Sequence, residues 1–101
     1  MIIHEASNYS RKFEKLVKHD PDLGKKVDRK LQLFLVNRNY PSLRLHKIEV
    51  AGETVWSISI DLKIRMLFSH VEDGILLFDI GSHDEVYWFG DFWQYLKSLK
   101  L

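Results

Sequence analysis

The chain has 101 residues, of which 46% are hydrophobic and 29% charged, with a formal net charge of +1 and no cysteine. That length suits one compact domain, residues 1–101, and the apolar fraction can furnish its core. The lack of cysteine excludes a disulfide framework, a thiolate nucleophile and a thiolate metal site, so chemistry must come from His, carboxylate, Tyr, Ser, Lys or Arg.

MIIHE is a short apolar opening that suits a strand, and the segment after it turns charged too soon for a signal peptide. No stretch reaches the roughly 18 apolar residues of a membrane span, so a cytoplasmic location without membrane contact is expected. In SNYSRKFEKLVKHD, residues Tyr9, Phe13, Leu16 and Val17 fall on one helical face, with Ser7 as the N-cap. A second helix is predicted from DPDLGKK onward, with Asp20 as cap and Pro21 at its first position. Leu23, Val27, Leu31, Phe34 and Leu35 form its stripe, and it ends near Asn37 to Asn39, ahead of Pro41. The short connection between the two favours an antiparallel hairpin.

Beyond Pro41 the period becomes alternating, and four strands are predicted: SLRLHKI, TVWSISI, KIRMLFS and GILLFDIG. Gly52 sits in the first connection, IDLK and HVEDG form the later turns, and the whole reads as an antiparallel meander. Alternation puts Trp56, Ile58 and Ile60 on one face with Ile64, Met66 and Phe68, ready to meet the helices. Arg44, His46, Ser57, Ser59 and Arg65 fall on the other, a polar row that a purely structural sheet does not require. The last strand is apolar on both faces and is placed in the interior. The tail GDFWQYLKSLKL offers Phe92, Tyr95, Leu96 and Leu99 at helical spacing behind a cap at Asp91, which predicts a C-terminal helix. The expected class is therefore α+β: a short N-terminal strand and a two-helix hairpin on a mainly antiparallel four- to five-stranded sheet.

The residues with chemical potential converge on that polar face and on the exit of the last strand, where GSHDEVYW places Tyr87 four residues after His83. Two imidazoles, two guanidiniums and a phenol suit phosphodiester chemistry: histidine moves protons near neutral pH, arginine stabilises the charge of a phosphorane, and an aromatic stacks on an unpaired base. The five histidines show no H-x-x-x-H or H-E-x-x-H spacing, so a metal site is not expected.

The order helix, helix, meander, with PSLRLHKIEVAGETVWSISIDLKIRMLF followed by ILLFDIGSHDEVYW, resembles the RelE/ParE superfamily of bacterial type II toxins over roughly residues 1–88. GSHDEVY is similar to its YafQ-like ribonuclease branch. The resemblance implies a RelE-like fold and a toxin that enters the ribosome and cuts mRNA by attack of a ribose 2′-hydroxyl. It implies no metal or cofactor, and an antitoxin as partner in a hetero-oligomer. It assigns His83 to general acid or base work, Tyr87 to the RNA base, and His46 and Arg65 to the family's polar positions. Arg44, Lys47 and Lys63 go to phosphate contact. The further histidine and aspartate of that branch are answered here only by Asp61. A ParE-like toxin that poisons gyrase without cutting anything, or a degenerate antitoxin-binding member, is the alternative; His83 discriminates between the branches.

Charge supports the partner independently of that resemblance. Residues 1–50 hold eleven Lys/Arg against six Asp/Glu, whereas residues 51–101 hold four against eight. Arg11, Lys15, Lys26, Arg29 and Lys30 on the two helices are thus expected to receive an acidic, partly disordered antitoxin segment.

Overall fold

A computed structural model describes residues 1–50 and 52–82. His83, Tyr87 and the expected C-terminal helix lie outside the described residues. The elements run β1 (Ile2–Glu5), α1 (Ser7–His19), α2 (Asp22–Val36), a 3₁₀ turn (Pro41–Leu43), β2 (His46–Val50), β3 (Glu53–Ser59), β4 (Ile64–Val71) and β5 (Gly74–Ser82). Both helices carry the predicted stripes except at Leu35, which points outward and is exposed while Leu33 packs against the core, and their starts also differ from expectation. Ala6, not Ser7, is the N-cap of α1, and no side chain caps it. Asp20 closes α1, its N–H donating to the Leu16 carbonyl, and α2 starts one residue late at Asp22 behind Pro21. Pro21 has helical dihedrals but lacks an N–H, so it fits just outside the helix as readily as at its first position.

The strands form one five-stranded sheet in the order β1-β5-β4-β3-β2. β2 to β5 make the antiparallel meander, and β1 adds to the free edge of β5 in parallel, Ile2 opposite Gly74 and Glu5 opposite Leu77. Gly74 permits this approach: a Cβ there would lie 1.9 Å from the Ile2 carbonyl oxygen. Gly52 takes the β2–β3 turn with φ +82°, a conformation that favours glycine.

Against the helix-bearing face, Tyr9, Leu23, Val27 and Phe34 bury onto Ile58, Ile60, Met66, Phe68, Ile75, Leu77 and Ile80. Phe34 meets Phe68 edge to face, with ring centroids 5.2 Å apart. The predicted inward row is therefore the observed one. The segment read as the strand SLRLHKI is not extended throughout. Pro41–Leu43 is a 3₁₀ turn, Arg44 caps it in the left-handed region with φ 46° and ψ 44°, and the strand starts only at His46. Proline at the head of the segment sets the dihedral that such a turn uses.

Candidate functional site

Directly opposed residues in an antiparallel sheet project from the same face. On the face away from the helices, pairing aligns His46 with Ser57 and Ser57 with Leu67, and in the next row Ser59 with Arg65 and Arg65 with Gly81. Four of the five predicted polar residues thus come together; Arg44 precedes the strand. With strands about 4.8 Å apart and rows about 6.8 Å apart, the His46 and Arg65 backbones are roughly 12 Å from each other. Two long side chains across that span can bracket one nucleotide. The face is also less open than its polarity suggests: Ser57 and Ser59 are buried, together with Val55 and Leu67.

Arg65 is the unusual group. Its Nη1 is buried and, among the described residues, has no hydrogen-bond partner. Among the described residues the guanidinium forms no ion pair either. A buried cationic donor left in this way costs free energy unless an acceptor reaches it.

His46 is exposed, and its Nδ1 lies 3.2 Å from the Arg44 carbonyl. For that contact to be a hydrogen bond Nδ1 must donate, which makes Nε2 the basic nitrogen of the neutral ring. The bond also ties the left-handed Arg44 to the start of β2.

Asp61 is a turn builder. Its Oδ1 accepts the N–H groups of Lys63 and Ile64, each at 2.8 Å, Ser59 Oγ donates to its carbonyl at 2.8 Å, and Lys26 approaches Oδ2 at 3.4 Å. Burial pushes the carboxyl up, but the two backbone N–H groups and Lys26 outweigh it and hold the group below the usual carboxylate range. A carboxylate so occupied orders the β3–β4 turn next to Arg65 and makes a poor general base.

Two members of the expected phosphate set fall elsewhere. Lys47 pairs with Trp56, so it projects from the helix-bearing side, where its Nζ lies 3.2 Å from Glu49. Lys63 sits in the turn, exposed, ahead of β4. Of the helical cations, Arg11 donates to Asn8 at 2.9 Å and Lys30 to the Ser42 carbonyl at 3.3 Å, while Lys26 is tied to Asp61; Lys15 and Arg29 are exposed.

Sequence reasoning missed Asp79, which is buried on β5 and accepts from Lys12 Nζ at 2.8 Å and from the Ile80 N–H at 2.9 Å. A shift in pairing register beside it, between Leu67 and Phe68, marks a bulge, and the Asn8 side chain donates to the Phe78 carbonyl there. An acid within a strand apolar on both faces was the available signal. Among the described residues, no cluster of three or more His, Asp or Glu side chains could hold a metal ion.

No family model and no curated protein sequence matches the chain. Solved structures do. The toxin of the E. coli DinJ-YafQ toxin-antitoxin complex superposes with a TM-score of 0.66 at 15% identity, covering 85% of this chain and 96% of that one. A YoeB/ParE toxin from Agrobacterium tumefaciens gives 0.69 at 10% identity over 82% and 99% of the two chains. The YoeB-YefM complex from Staphylococcus aureus gives 0.67 at 13% identity over 82% and 97%. The chain has the RelE/ParE toxin fold. At such identities the likeness extends to the path of the backbone, and the expected α+β architecture with its helical hairpin on a sheet is the observed one. In this toxin fold, Arg65 lies on the middle strand of the five, β4.

Proposed function

We propose that the chain is the toxin of a toxin–antitoxin pair and that it cleaves mRNA on the ribosome. The observation that carries this reading is the Arg65 guanidinium, buried at Nη1 without a partner among the described residues, on the sheet face that also presents His46. A phosphodiester supplies the acceptors such a guanidinium lacks, and charge on the phosphate rises as the reaction proceeds.

In the proposed reaction the ribose 2′-oxygen attacks the adjacent phosphorus, and a general base removes its proton. Arg65 stabilises the phosphorane, and a general acid protonates the departing 5′-oxygen. The products are a 2′,3′-cyclic phosphate and a 5′-hydroxyl. His46, with Nε2 as its basic nitrogen, and His83 supply the proton transfers, while Tyr87 stacks on the base. Arg44 and Lys63 serve the flanking phosphates. Cleavage needs neither metal nor cofactor in this scheme, and an acidic antitoxin neutralises the toxin.

The test is to induce the wild-type chain and His83→Ala in bacteria and to map mRNA 5′ ends by primer extension. New cuts in phase with codons that vanish in the variant are expected. No cleavage even on translating ribosomes would overturn the nuclease reading, and gyrase-linked DNA breaks in its place would establish the ParE-like alternative.

A further inference from the structure

From Arg29 to Lys47 the sequence carries five Lys/Arg and no acid. The same stretch displays Leu35, Val36 and Tyr40, which are 51%, 87% and 45% exposed at the end of α2 and just beyond it. Between them stands Arg38. Its guanidinium carbon lies 5.4 Å from the centre of the Phe34 ring and 5.3 Å from that of Trp56. Two rings thus fix its orientation. Among the described residues it forms no hydrogen bond and no ion pair. The acid of β2, Glu49, is instead engaged by Thr54 at 3.0 Å and Lys47 at 3.2 Å.

A cation–π staple joining α2 to the sheet accounts for where Arg38 sits. It does not account for a planar fork of N–H groups without an acceptor beside exposed aliphatic side chains. An oriented guanidinium suits bidentate recognition of a carboxylate or a phosphate. The neighbours decide between them, because an RNA strand would gain little from covering Leu35 and Val36, whereas a peptide with apolar and acidic residues gains from both. The helical cations expected to bind an acidic segment are less available, since Arg11, Lys26 and Lys30 already have internal acceptors.

We propose that residues 35–40 form a docking surface for an acidic amphipathic peptide segment, which seats apolar side chains on Leu35, Val36 and Tyr40 and a carboxylate on Arg38. That this segment belongs to the antitoxin rests on the toxin–antitoxin reading; the surface itself does not.

The experiment follows amide shifts of the ¹⁵N-labelled full chain during titration with a synthetic acidic peptide, Leu at every third or fourth position and Glu elsewhere. The same peptide with Gln for Glu, and a short oligouridylate, are the controls. The acidic peptide is expected to shift residues 35–40 and the Trp56 indole. Arg38→Gln should weaken it about tenfold, as the loss of a central charged contact does, and Val36→Asp should weaken it comparably while leaving remote resonances in place. Shifts confined to the segment from Arg11 to Lys30, unchanged affinity in Arg38→Gln, stronger shifts at residues 35–40 with oligouridylate, or no shifts at all would each overturn the proposal. A chain that cuts mRNA yet fails these titrations loses this inference alone. One that binds the peptide yet cuts nothing loses the nuclease reading alone.

Discussion

Replacing Arg65 with methionine separates what the fold needs from what the proposed reaction needs. Arg65 lies between Ser59 and Gly81 across β4, with Nη1 cut off from solvent and without an acceptor among the described residues. Leaving a buried donor unsatisfied costs about 1–3 kcal/mol, more when it is charged. Methionine keeps an unbranched stem in the same space and removes the charged head, so Arg65→Met should raise the unfolding free energy by about 1–2 kcal/mol. For a domain of this size each kcal/mol shifts the melting midpoint by about 4–8 °C, so a rise of roughly 5–10 °C is expected by circular dichroism. Cleavage in the ribosome assay should fall at least about 100-fold in the same variant, the usual cost of removing a donor aimed at developing charge. A dinucleotide bearing a terminal phosphate should stabilise the wild type by mass action and leave the variant unmoved. If Arg65→Met instead melted below the wild type by more than about 1 kcal/mol, the guanidinium would be a structural anchor. The support it lends to a phosphate site would then be gone.

Gly74→Ala should detach β1, because the new Cβ would also lie 2.6 Å from the Ile2 backbone nitrogen and neither strand can yield without breaking the Ile2 N–H to Asp73 carbonyl bond. A loss of about 2–4 kcal/mol is expected, with faster hydrogen exchange over β1; unchanged exchange there would refute the pairing register. Tyr9→Phe tests the buried phenol of α1, whose pKa burial pushes above the ordinary range, with Glu5 and Asp28 adding to the effect. The folded state then keeps a proton that the unfolded chain releases above about pH 10, so stability is fully present below that pH and falls as pH rises. In the phenylalanine variant the alkaline limb of a urea-denaturation series should be flatter, and an identical limb would show that other groups control it.

The helical stripes were legible because Tyr9, Val27 and Phe34 repeat at the helical period, and the inward sheet row because Ile58, Met66 and Phe68 alternate. Ser57, Ser59, Arg65 and His46 could be gathered on one face for the same reason. Arg44 and Lys47 could not be placed correctly. Alternation carries no warning that a segment headed by proline will spend Pro41–Leu43 on a 3₁₀ turn, and the face of Lys47 follows from its pairing with Trp56. The parallel docking of β1 on β5 joins segments 72 residues apart, a register that no local pattern encodes. Nor does a row of Ser and Arg announce burial: Val55 and Leu67 share that face, and the serines beside them are buried too.

The sheet treats the buried Asp79 and the half-buried Arg65, whose Nη1 is out of solvent, in opposite ways, and the contrast is the physical case for a site. Asp79 is satisfied on all counts that a structural charge requires: a lysine at 2.8 Å, a backbone N–H at 2.9 Å, and a bulge that relaxes the strand around it. Removing Lys12 would strand that carboxylate, which is how a buried pair enforces one packing of α1 against β5. Among the described residues Arg65 receives nothing equivalent, although Asp61 stands four residues before it in the adjoining turn. That carboxylate is committed to the Lys63 and Ile64 N–H groups and to Lys26. A fold able to pair Lys12 so closely leaves the Arg65 guanidinium without a partner among the described residues, beside a turn that contains an acid. A phosphate bound there, as proposed, would supply the acceptor that this group lacks among the described residues.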